Sequence, residues 1–157
     1  EGDVPDYAFY ECDRLALVTL PEDCARIGVR AFYGCDVLRE MICPSTLRTI
    51  GDMAFAHCVV LGKVVLGDRL TDIGLQAFYD CFSLVEITLP DSLTTLPASA
   101  FAECKCLKTI TFGASMTSIG KNAFYHCYSL ETAMGGKTDM TVAEGNGALE
   151  RLLLLTK

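Results

Sequence analysis

The chain has 157 residues, 51% hydrophobic and 21% charged, with a formal net charge of −7. That is enough apolar material for a sizeable core and argues against wholesale disorder. The acidic balance and singly scattered Lys and Arg argue against a nucleic-acid partner, and the apolar run Leu152 to Leu155 is far too short to span a bilayer.

At the N-terminus, Glu1-Gly2-Asp3 is acidic and no apolar h-region follows, so no secretory signal is read there. The chain does not start with Met, which reads as a processed product or an excised piece and leaves the parent's destination open. Nine cysteines would first suggest a disulfide scaffold in a secreted protein, but their spacing overturns that reading.

Cys12, Cys35, Cys58, Cys81, Cys104 and Cys127 follow one another at intervals of 23 residues. An Ala-Phe pair recurs with the same period from Ala8-Phe9 to Ala123-Phe124, and a leucine stands three residues after each of these cysteines, from Leu15 to Leu130. Further apolar columns are Val18/Met41/Val64/Ile87/Ile110, Leu20/Cys43/Leu66/Leu89/Phe112, Leu47/Leu70/Leu93/Met116 and Ile27/Ile50/Ile73/Leu96/Ile119. Nothing breaks the register from Val4 to Leu130, and a fixed period of this length is the signature of a leucine-rich array.

Taken in chain order, the array opens mid-repeat, with Val4 and Pro5 in the Ile-Gly columns and no strand before them. Each unit then reads as a strand, a bend and a return. In the fourth copy, Ile87 and Leu89 alternate with polar neighbours, which predicts a short strand over 86–89 with one buried face. Pro21, Pro44, Gly67, Pro90 and Gly113 stop the strands. The Ala-Phe-x-x-Cys-x-x-Leu stretch suits a short helix or 3₁₀ segment. After Leu130 the register loosens, with Gly135-Gly136-Lys137 and only Val142 and Leu153 near their columns. For 142–155 two readings stand: a capping helix from Ala148 to Leu155, favoured by its helix-forming composition, or a hairpin turning at Asn146-Gly147.

The sequence Leu-x-x-Ile-x-Leu-Pro-x-x-Leu-x-x-Ile-x-x-x-Ala-Phe-x-x-Cys-x-x-Leu resembles the BspA-like (Treponema pallidum type) leucine-rich-repeat family over residues 4–134. The resemblance implies an α/β solenoid, a right-handed superhelix of 23-residue repeats with a parallel sheet on the concave side and short helical segments on the convex side. It describes a single domain, 1–157, with about six repeats over 4–134 and a degenerate cap over 135–157. The family also implies cell-surface or secreted bacterial proteins with a role in adhesion. The chain departs from the pattern at Cys24 and Cys43, at Pro97 in the Gly column, and at Ala133 and Gly135, which suggests that the sixth strand is weak or ends the array.

Stacked rungs lie about 4.7–4.9 Å apart, so neighbouring column cysteines are within disulfide reach. Pairing would break the uniform repeat, however, and small buried thiols fill a narrow gap well. Cys24, Cys43 and Cys106 lie off the column, and Cys106 is the best candidate for an exposed thiol. No converging Cys or His pairs suggest a metal, and His57 and His126, three rungs apart, read as solvent-facing. No triad or phosphate-cradling loop is present, so neither enzyme nor cofactor is expected.

What remains is surface. The outward strand columns contain Leu17, Glu40, Lys63 and Glu86 in one line, and Ile42, Val65 and Thr88 in the other. Leu17, Ile42 and Val65 form an apolar patch with a charged rim, as a partner-binding face does, although exposed Val and Ile also serve β-propensity. Tyr10, Tyr33, Tyr79 and Tyr125 form a column on the return side. The reading is a binding module for a protein or glycan partner, with no membrane insertion and with ends that could stack into oligomers. The alternatives are a spacer within a longer surface protein and an intracellular scaffold, the latter suited to unpaired cysteines.

Overall fold

The structure, a computed structural model, describes residues 2–155. The chain coils into a solenoid with parallel strand pairing along a strand face and a flank, each divided between the third and fourth rungs into two sheets. On the strand face lie β2 (Glu40–Ile42), β4 (Lys63–Val65), β6 (Glu86–Thr88), β8 (Thr109–Phe112) and β10 (Thr132–Gly135). A flanking ladder of two-residue strands holds β1 (Arg26–Ile27), β3 (Thr49–Ile50), β5 (Asp72–Ile73), β7 (Thr95–Leu96), β9 (Ser118–Ile119) and β11 (Thr141–Val142). Pairing follows the repeat: Met41 faces Val64, Ile50 faces Ile73 and Ile110 faces Ala133.

The core is the set of columns read from the sequence. Phe9, Phe32, Phe55, Phe78, Phe101 and Phe124 stack in one file, with centroids 5.2 Å apart through the first five rings and 5.6 Å at the last step. The rings from Phe32 onward are buried. Offset stacking of this kind adds about 0.5–1.5 kcal/mol per pair beyond the area buried. Beside them, the thiols of Cys58, Cys81, Cys104 and Cys127 donate to the carbonyls of Phe32, Phe55, Phe78 and Phe101 at 3.1–3.2 Å. A cysteine suits this column because it is small and its S–H, a weak donor, finds an acceptor one rung back.

The return segment is not helical, contrary to the expectation from its apolar spacing. It is a run of turns whose amides alternate in direction. Ala31, Tyr33 and Cys35 donate three residues back, to Gly28, Arg30 and Phe32, whereas Arg30, Phe32 and Gly34 donate to Asp52, Ala54 and Ala56 of the next rung. This requires left-handed backbone at every fourth residue, as at Met53 and His57 (φ 54° and 61°) and at Gln76 and Asp80 (φ 55° and 58°). Each such residue costs roughly 1 kcal/mol, which the inter-rung bonds offset. An α-helix would aim every amide along its own axis and leave the rungs unconnected.

Both ends differ from the sequence reading as well. Val4 bridges Ile27, as its column predicts, but residues 15–20 form no strand. At the other end, β10 is as long as β8 and β11 pairs with β9, so the register continues to Val142. Main-chain pairing needs no particular side chain, so Ala133 and Gly135 do not end the ladder. The helix α1 (Gly147–Leu155) follows, and the hairpin does not form. Leu149 is fully buried against the last rung, while Leu154 and Leu155 stay exposed.

Candidate functional site

The strand face presents its side chains by simple alternation. In β2, β4 and β6 the middle residue is buried and the two flanking it are exposed. Ile42 and Val65 are register partners, exposed at 46% and 42%, and so form one continuous apolar strip. Glu40 and Lys63 are register partners on the adjacent line. Among the described residues, no ion pair within 4 Å engages Glu40, Lys63 or Glu86, so their charged groups are unclaimed.

Between β4 and β6 the face opens into a cleft of about 480 Å³. Lys63, Val65, Glu86 and Thr88 line it together with Leu66 and Pro90. Of the seven residues singled out from the sequence, four therefore meet in one cleft, and Glu40 and Ile42 adjoin it through the β2–β4 ladder. Leu17 stands apart, 68% exposed on a segment without strand structure.

The return side carries an aromatic file. Tyr10 stacks on Tyr33 at 5.1 Å, and His57 contacts Tyr33 and Tyr79 edge-on at 5.2 and 5.5 Å. The two histidines are not simply solvent-facing. His57 Nδ1 lies 2.9 Å from Asp80 Oδ2, and His126 Nδ1 lies 2.7 Å from Glu103 Oε1. His126 also stacks between Tyr125 and Tyr128 at 3.8 and 5.0 Å. Each carboxylate occupies the histidine's own column one rung away, a relation that becomes a contact only when the rungs stack.

All nine cysteines are free thiols, and Cys12 and Cys106 are the two that are only half-buried. Burial raises the thiol of Cys35 to about 11 and those of Cys43 and Cys127 to about 12. Cys81 and Cys104, deepest in the column, are raised well above the ordinary thiol value by the same desolvation. Among the described residues, no group of three His, Cys, Asp or Glu could hold a metal ion. Likewise, no described helix is long and apolar enough to cross a membrane.

Repeated rungs, an in-register aromatic spine and a regular array of outward strand positions define a leucine-rich-repeat solenoid. The BspA-type leucine-rich-repeat model matches six copies over residues 2–131, and the chain belongs to that family. It is similar to the solved Treponema pallidum leucine-rich-repeat protein, with 31% identity and a TM-score of 0.68, covering 82% of this chain and 71% of that one. A leucine-rich-repeat protein of Bacteroides ovatus aligns with 29% identity and a TM-score of 0.74, over 90% of this chain and 43% of that one. The pneumococcal vaccine antigen PcpA shares the fold at 18% identity and a TM-score of 0.65, over 99% of this chain and 39% of its own. No curated protein matches the chain.

Proposed function

We propose that the chain is a non-catalytic binding module that engages a protein or glycan partner through its strand face, displayed outside a bacterial cell. The observation that carries this reading is the Ile42–Val65 strip beside the cleft of Lys63, Glu86 and Thr88. It joins exposed apolar area on the paired β2–β4 backbone to unclaimed charges on both sides of the cleft. Membership of the BspA-type family supports display outside the cell.

The test uses purified chain on arrays of extracellular-matrix proteins and of glycans, comparing wild type with the Ile42→Asp/Val65→Asp variant. Binding that is saturable in wild type and lost in a variant with unchanged circular dichroism supports the strand face. Binding retained in the variant removes that assignment.

A second reading, a spacer within a longer surface protein, is favoured by one fact: the chain spans 43% of its Bacteroides ovatus relative. It predicts no specific binding by this chain on either array.

A further inference from the structure

We propose that the stack is jointed between its third and fourth rungs, so that 62–75 and 85–97 swing apart on the strand side about a closed return side. Both ladders stop at this step. The strand face divides into β2–β4 and β6–β8–β10, and the flank into β1–β3–β5 and β7–β9–β11. Among the described residues it is the one step between rungs at which neither ladder is paired.

Two prolines account for it. In the column that follows each flanking strand, Gly28, Gly51, Gly74 and Gly120 each donate to the carbonyl one rung back at 2.8 Å. The approach there is so close that a Cβ on Gly74 would lie 2.4 Å from Asp52 N, and one on Gly51 would lie 2.6 Å from Val29 N. Pro97 fills the same column in rung four. It has no N–H to give to Ile73, and it carries the ring carbons for which the column has no room. The column that ends the strand-face strands behaves alike. A Cβ on Gly67 would lie 2.7 Å from the carbonyl oxygen of Pro44 and one on Gly113 closer still to that of Pro90, and the ladder is formed at both glycines. Where this column holds proline, at Pro44 and Pro90, the strand-face ladder to the preceding rung is absent. Only the step from rung three to rung four has proline in both columns.

What still crosses the joint lies at its edges and behind it. The hydroxyls of Ser83 and Ser92 donate to the carbonyls of Val59 and Leu70 at 2.7 and 2.5 Å. On the return side Gln76, Phe78 and Asp80 donate to Ala98, Ala100 and Ala102, and Phe78 stacks on Phe101 as elsewhere. On the rung-three side of the gap, Val64 and Ile73 keep 8% and 6% exposure, whereas Ile87 and Leu96 on the other side keep 2% each. The cleft on the strand face is the mouth of this joint. The outward-facing residues therefore sit on two plates, one bearing Ile42, Lys63 and Val65, the other Glu86 and Thr88.

Amide hydrogen exchange on the whole chain tests the joint without any partner. In wild type, peptides covering 85–97, whose amides would give to rung three across the joint, are expected to exchange at least about tenfold faster than those covering 109–120, whose amides are bonded one rung back. In the Pro90→Gly/Pro97→Gly variant that difference is expected to vanish. Equal protection at the two steps in wild type would overturn the proposal, and the wild-type profile decides this even if the variant does not fold. Fast exchange that persists unchanged in a folded variant would overturn it too, by removing the prolines as the cause.

Discussion

Asn146 takes the place of a rung that the main chain does not supply: its side-chain Oδ1 accepts the N–H of Phe124 at 2.9 Å. One rung earlier, Phe101 gives the equivalent N–H to the main-chain carbonyl of Ala123. Asn146 lies 23 residues after Ala123, in its column, and is fully buried. Its Nδ2 donates to the carbonyls of Gly120 and Ala143 at 3.0 and 2.8 Å. One side chain thus satisfies open main-chain groups at the end of the stack, and α1 starts from there.

Replacing Asn146 with Leu is therefore expected to destabilise the chain by about 2–3 kcal/mol, since buried N–H and C=O groups lose their partners. Denaturant unfolding followed by circular dichroism measures it. A loss under about 0.5 kcal/mol would mean that water or a shifted helix serves these groups equally well.

Phe78 stacks between Phe55 and Phe101 at 5.2 Å on each side. Phe78→Ala is expected to cost about 3–5 kcal/mol through lost burial and the cavity left behind. Phe9, at the open end and only partly buried, should cost clearly less on the same substitution. Equal losses at the two positions, read from chemical unfolding, would count against a continuous spine.

Gly74→Ala probes the close-approach column directly, because the added Cβ would sit 2.4 Å from Asp52 N. The step between rungs two and three must then open, at an expected cost of about 1–3 kcal/mol. Hydrogen exchange should quicken in 49–52 and 72–75 more than elsewhere.

The buried thiols make stability fall at alkaline pH. Desolvation raises Cys35 to about 11 and Cys43 and Cys127 to about 12, against an ordinary value of 9.0. The unfolded chain releases these protons first, so between about pH 9 and 12 the folded state binds more protons and stability declines as pH rises. Below pH 9 their contribution is constant. Urea midpoints measured from pH 7 to 10.5 should be flat and then drop. A Cys35→Ala/Cys127→Ala variant should show a shallower alkaline drop. In the native state at pH 8, a thiol reagent should label Cys12 and Cys106 first, because they alone are half-exposed.

The two halves of the binding proposal separate experimentally as well. Ile42 and Val65 are 46% and 42% exposed, so their replacement by Asp should change stability by no more than about 0.5 kcal/mol. A melting temperature that falls sharply would show these side chains to be part of the packing rather than a free face.

Periodicity alone determined most of this protein. A column that repeats every 23 residues with no insertion can bury its apolar side chains only against its own copies, so the Phe file, the thiol column and the parallel register of Met41 with Val64 were legible without coordinates. Three things were not. The return segment's apolar spacing fits a helix as well as a run of turns, and the choice is made by inter-rung amide bonds that exist only once the rungs are stacked. The partners of His57 and His126 lie one rung away, a distance that becomes short only in the solenoid. Pro97 was visible as a departure from the pattern, but its effect depends on how closely neighbouring backbones approach, and that spacing is a property of the packed stack.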